Sequence, residues 1–137
     1  MGEIYGKLYN GHAVLDKRGL APTGWHVATD EEWTNLTNYL GVHQAAKKLK
    51  AMKGWTFGSD SNGSNESGFA ALPGGMMMYT GQFYYEGQYA NFWTSTVIAD
   101  AKVRTHYHRM IDYSNYLDLQ REGQNSGTGN SVRCVKD

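Results

Sequence analysis

A single cysteine, Cys134, in 137 residues excludes any disulfide within the chain and any zinc site built from several thiolates. The fold must therefore stand on packing. Neither sign of charge prevails, with 13 basic and 13 acidic residues, so the chain lacks the broad positive field that nucleic-acid backbones or anionic membranes select. No nucleic-acid partner is expected. No apolar run approaches the roughly 18 to 20 residues of a membrane span, and the opening Met1-Gly-Glu-Ile-Tyr5 has neither the basic nor the apolar region of a secretory signal. Membrane insertion is not expected either. Hydrolase signatures are missing too, since neither Gly-x-Ser-x-Gly nor His-Glu-x-x-His occurs.

Prolines number only two, Pro22 and Pro73, whereas glycines number 17 and aromatic residues make up 13% of the chain. That balance implies many turns and short strands, and the length suits one domain over residues 1–137. Lys7 to Leu15 reads as a short strand broken near Gly11. Thr29-Asp-Glu-Glu32 is a capping box, and Trp33, Leu36 and Leu40 then fall on one helical face that Gly41 can end. A second helix is expected over Val42, Ala45, Ala46, Leu49 and Met52, with Lys47, Lys48 and Lys50 facing water and Gly54 closing it. From Gly58 to Gly68 the chain offers no face to bury and reads as a loop. The remainder is strand-like, in runs at Phe69 to Leu72, Phe92 to Thr96, Val103 to Ile111, Tyr116 to Gln120 and Ser131 to Val135. Two helices followed by strands predict an α+β fold with helices packed on short antiparallel sheets. Trp25, Trp33, Phe69, Leu72, Phe92, Trp93, Val132 and Val135 are the expected core.

Eight segments in order, from Gly6-Lys-Leu-Tyr-Asn10 through Pro22-Thr-Gly-Trp-His-Val27, Asp30-Glu-Glu-Trp33 with Leu36 to Gly41, and Lys48-Leu-Lys50, carry a resemblance. They continue with Asn65-Glu-Ser-Gly-Phe69, Ala71-Leu-Pro-Gly-Gly75, Phe92-Trp-Thr-Ser-Thr96 and Ser131 to Asp137. Together they resemble the Fibrobacter succinogenes major paralogous domain over nearly the whole chain. The resemblance implies a C-type-lectin-like fold with adjacent termini, in which Gly6 to Val14 pairs near Ser131 to Val135 and a long loop-rich region holds ligand. It also implies the C-terminal domain of a larger protein, displayed on a cell surface, secreted, or carried on a virion. Similar members often have a cysteine where this chain has Ala21, so Cys134 lacks its usual partner. The second half also resembles the variable proteins of diversity-generating retroelements, because Met76 to Asn130 is rich in residues that adenine mutagenesis creates from asparagine codons.

Tyr79, Tyr84, Tyr85, Tyr89, Tyr107, Tyr113 and Tyr116 all lie in the second half. Tyrosine combines large contact area with low rotamer cost and a polar hydroxyl, so this composition points to a recognition surface. Residues between the matched segments are the expected ligand contacts: Gln82, Tyr84, Tyr85, Glu86, Asn91, Ile98, His106, His108, Tyr113, Tyr116 and Asp118. The expected partner is a protein or glycan on a cell surface. His106 and His108 share one strand face, but Asp112 would sit roughly 13 Å along a plain strand, so no metal site is expected there. His26 is expected to make a structural hydrogen bond. The Glu-Pro-Asn and Gln-Pro-Asp motifs of calcium-dependent sugar binding are absent. Asp60 to Glu66 has the oxygen donors to hold calcium, which is not required, and no other cofactor is expected. Formylglycine-generating enzymes use a related fold with paired cysteines, so the lone Cys134 makes that oxidase reading the weakest. The leading expectation is a non-catalytic recognition domain; a structural adhesin or self-assembly module is the alternative.

Overall fold

Thr29 sets where the longest helix starts. Its side chain accepts the Glu32 amide at 3.1 Å while the Glu32 carboxylate accepts the Thr29 amide at 2.8 Å, the reciprocal pairing that the sequence spacing predicts. The computed structural model describes residues 2–99, 102–103, 106–115 and 118–137. It begins with a helical turn α1 (Gly2–Tyr5), strand β1 (Tyr9–Asn10) and a second turn α2 (Gly11–Val14), followed by β2 (Trp25–Val27). The main helix α3 (Asp30–Leu40) and the short α4 (Ala45–Leu49) follow. The second half holds β3 (Met76–Met77), β4 (Phe83–Tyr84), β5 (Ala90–Val97), β6 (His106–Ile111), β7 (Gln120–Gln124), β8 (Gly129–Asn130) and β9 (Cys134–Lys136).

Strand pairing is antiparallel throughout these elements, in sheets of order β1-β8-β3-β4, β2-β9 and β5-β6-β7. This is an α+β architecture. The N-terminal strand does meet the C-terminal region, although Tyr9 and Asn10 pair with Asn130 and Gly129 rather than with Ser131 to Val135. Cys134–Lys136 instead takes Val27 back to Trp25 as its partner, and Ser131 exchanges backbone hydrogen bonds with β5. The reason is that Trp93 occupies the space between: it is wholly buried, and its indole N–H donates to the Tyr9 carbonyl at 2.7 Å.

The larger core cluster brings Trp33 of α3, Leu49 of α4, Trp55, Ala71, Phe92 and Ile111 together. Trp33 meets Phe69 and Phe92 with ring centroids 5.5 and 5.3 Å apart. A smaller cluster joins Val14, Val27 and Trp93, with Ala21 and Cys134 packed against it. A charge group centred on the buried Asp30 anchors the start of α3. Asp30 accepts from Arg109 Nε at 2.9 Å and from Arg121 Nε at 2.7 Å, fixing the start of α3 to β6 and β7. Trp25, expected in the core, is 44% exposed because it pairs with Lys136 where the β2-β9 ribbon runs past the core.

The second helix is shorter than its apolar spacing predicts, and the neighbouring loop explains why. Ser64 N donates to the Lys47 carbonyl, Ser67 N to that of Lys48, and Ala71 N to that of Leu49. Those carbonyls are thereby drawn out of any continuing helix, and Lys50 adopts an extended conformation bridged to Ala71. Met52 and Val42 are left exposed. Lys50, expected to face water, is 0% exposed: its ammonium donates to the carbonyls of Tyr113 at 2.7 Å and Asp112 at 3.1 Å. The Gly58 to Gly68 loop packs so closely that a Cβ on Gly63 would sit 2.3 Å from the Lys50 carbonyl oxygen.

Candidate functional site

The backbone of the Tyr84 to Tyr89 loop lies directly on the Leu72-Pro-Gly-Gly75 segment. A Cβ at Gly75 would fall 2.1 Å from the Tyr84 carbonyl oxygen, so only glycine admits this approach. Hydrogen bonds then pin the loop from three sides: Gly87 N to the Pro73 carbonyl at 2.9 Å, Gly75 N to that of Tyr89 at 2.9 Å, and Thr56 N to that of Gly87 at 3.0 Å. Asn91 holds Gly75 from below, its amide donating to the Gly75 carbonyl at 3.1 Å. Within the loop, the amides of Gln88 and Tyr89 both donate to the Tyr85 carbonyl, and Tyr85 itself stands at φ 63°. A side chain in that left-handed region costs about 1–2 kcal/mol, so the surrounding contacts must hold it there.

The result is an aromatic strip. Its rings run from Phe57 to Tyr113 (4.6 Å between centroids), Tyr113 to Tyr89 (6.3 Å), Tyr89 to Tyr85 (5.1 Å) and Tyr85 to Tyr84 (6.0 Å). Edge-to-face and tilted contacts of this kind suit the ring quadrupoles and limit each ring's freedom. Phe57, Tyr84 and Tyr85 are exposed, and Tyr89 and Tyr113 are half-buried. Partial burial, and next the charge of Asp112, push the Tyr89 hydroxyl pKa up, so this ring keeps its proton and can donate. Lys50 props Tyr113 from beneath. Burial pulls its pKa down to about 8, against the charges of Asp112 and Asp60 that favour the ammonium.

Beside the strip opens a groove of about 420 Å³ between β3 and the β6-β7 pair. Tyr85, Tyr89 and Tyr79 form one wall, the thioethers of Met76, Met78 and Met110 line it, and Asn91 and His108 reach it from the buried layer. His108 Nδ1 lies 3.0 Å from the Glu122 carbonyl oxygen, which fixes the imidazole against β7.

The structure places the sequence-predicted contacts in several environments. Gln82, Tyr84, Tyr85 and Glu86 are exposed on the loop, Gln82 accepting from the Tyr84 hydroxyl at 2.9 Å, and Tyr113 joins them through the strip. Asn91 and His108 are only 2% and 4% exposed, so they contribute as groove lining rather than as free surface. His106 is corrected from surface to interior: it is 3% exposed, packs edge-on against Trp93 at 5.6 Å, and has Nδ1 3.2 Å from the Ser126 hydroxyl. Burial, and then His12, lower its pKa and favour the neutral ring. Ile98 is half-buried just past β5, outside both strip and groove, and Asp118 pairs with His43 at 3.0 Å away from the rings. Tyr116 lies outside the described residues.

Phe57, Lys50 and the three methionines were not expected at the site. Phe57 sits in a stretch with no periodicity, and Lys50 wears a helix-surface pattern. The Met76-Met-Met78 run was the available signal. In the Asp60 to Glu66 loop, Asn62 and Asn65 spend their side-chain oxygens on the amides of Trp55 and Ala70. Among the described residues no group of three or more His, Cys, Asp or Glu side chains is placed to hold a metal ion. No described helix is long and apolar enough to cross a membrane.

No curated protein and no solved structure matches the chain. The sequence profile of the Fibrobacter succinogenes major domain, in contrast, matches residues 1–136. The chain belongs to the Fibrobacter succinogenes major domain family.

Proposed function

We propose that this chain is a non-catalytic recognition domain of C-type-lectin-like type, displayed on a bacterial or phage surface, whose aromatic strip binds a protein or glycan on a cell. The observation that carries the reading is the strip itself: five rings in sequence, from Phe57 to Tyr84, resting on a loop whose backbone is pinned at Pro73, Gly75 and Thr56. Rings already ordered in the free protein lose little entropy on binding, and tyrosines bring apolar area together with a hydroxyl. The motif Leu72-Pro-Gly-Gly75 acts as a scaffold beneath the tyrosine loop, an arrangement that suits a diversified binding surface. Two helices early in the chain and an irregular, loop-bearing second half support the lectin-like arrangement.

The test replaces Tyr84, Tyr85 and Tyr113 singly with alanine and measures binding to a ligand recovered from a host-cell screen. At least one variant is expected to lose about 2 kcal/mol of affinity, as at an interface hot spot, with the fold retained. Full binding by all three folded variants would move the site elsewhere, and concentration-dependent self-association lost in the same variants would favour the self-assembly module. Calcium is not required in this reading, so binding should be unchanged in EDTA; loss of binding that calcium restores would assign the Asp60 to Glu66 loop a role.

A further inference from the structure

The groove beside the strip has a chemistry of its own. Three tyrosine rings and three methionine thioethers give it electron-rich, polarisable walls, and Glu122 is the only carboxylate or other formally charged Asp, Glu, Lys or Arg side chain among the described lining residues. Ring faces attract cations, thioethers adapt to an aliphatic stem, and a carboxylate at the rim completes a site for a positive head group. An anionic ligand would meet the Glu122 carboxylate with no Lys or Arg among the described lining residues to offset it. A purely aliphatic one would strip water from the exposed Glu122 without replacing those hydrogen bonds.

Building on the recognition reading above, we propose that this groove takes an arginine side chain from the partner protein, its guanidinium over a Tyr85 or Tyr89 ring and facing the Glu122 carboxylate. The fold uses the same combination internally. Arg121 holds its guanidinium carbon 3.6 Å from the Tyr107 ring centroid while its Nε donates to Asp30 at 2.7 Å. The planar guanidinium satisfies ring and carboxylate at once, which a lysine ammonium does less well. A groove of about 420 Å³ exceeds one side chain, so it also admits the flanking residues of a peptide segment. Tyr85 and Tyr89 belong to both strip and groove, so the arginine becomes the anchor of the larger contact.

The experiment follows the methionine methyl signals of the whole chain by NMR while adding acetyl-Gly-Leu-Arg-Leu-Gly-amide, or the same peptide with citrulline, the neutral isostere of arginine. Saturable shifts are expected at Met76, Met78 and Met110 and not at the exposed Met52. The citrulline peptide is expected to bind about tenfold more weakly, and Glu122→Gln to reduce arginine-peptide binding by a similar factor with unchanged melting. Equal binding of the two peptides, an undiminished Glu122→Gln, or no saturable shift at the three groove methionines would overturn the proposal. The two readings fail separately. A host-cell ligand that responds to Tyr84→Ala and Tyr113→Ala but not to Glu122→Gln keeps the strip and removes the arginine site.

Discussion

An ammonium with no exposure is tolerated at Lys50 because two backbone carbonyls and the Trp55 ring, 4.4 Å away, replace water. The side chain still carries a desolvation cost, which is why its pKa falls from the ordinary 10.5 to about 8. Deprotonation leaves two N–H donors, enough for the carbonyls of Asp112 and Tyr113. Between about pH 8 and the unfolded value the unfolded chain therefore binds more protons at this residue than the folded one, so its contribution to stability rises with pH. Lys50→Met isolates the effect. The variant leaves both carbonyls unpaired and is expected to lose about 1–3 kcal/mol near pH 10, with a smaller deficit at pH 7 where the wild type carries its buried charge. Urea melts at the two pH values check this; a deficit that does not grow with pH would mean that Lys50 is hydrated.

At the scale of elements, the capping box made α3 legible, since Thr29 and Glu32 act through local geometry that no distant contact needs to support. Trp33, on the face that the sequence predicts, should cost about 3–5 kcal/mol when cut to alanine, because its ring fills the space between Phe69 and Phe92. A denaturant melt shifted by less than roughly 1 kcal/mol would contradict that packing. For α4 the spacing was misleading, as the carbonyls of Lys47, Lys48 and Leu49 were claimed by residues 17 to 22 positions further on, and such competition is invisible in a local pattern. Tyr85 shows the same limit. Nothing in Phe-Tyr-Tyr-Glu-Gly signals that its second tyrosine is left-handed, because the cause is the Gly75 backbone beneath it. At position 85, glycine should therefore be more stable than alanine by about 1 kcal/mol, the reverse of the usual order within a helix or strand. Comparing the melts of Tyr85→Gly and Tyr85→Ala decides it, and alanine matching glycine would show that the residue is unstrained.

Across the whole molecule, sequence order was enough for the α+β class and for the location of the tyrosines, but not for depth. His106 and His108 look like surface letters between matched segments, yet their alternation on β6 turns both toward Trp93. Closure of the chain was legible only coarsely, with the β2-β9 ribbon unforeseen, and one side chain in that ribbon makes a titratable bridge. His26 reaches Asp137 through Nδ1 at 2.6 Å and Glu32 through Nε2 at 2.8 Å, joining β2, the start of α3 and the end of β9. The hydrogen bond to Asp137, and next that to Glu32, raise its pKa above 6.5, because two carboxylates favour the imidazolium. A folded pKa above the unfolded one means that this contribution is fully present below about pH 6.5 and fades as pH rises through the folded value. His26→Gln keeps a hydrogen-bonding side chain without the titration. The wild type is expected to lose more stability than His26→Gln between pH 6 and pH 8, and the difference should shrink in high salt since the group is exposed. Parallel melting curves for the two proteins across that range would mean that the imidazole makes no charged bridge.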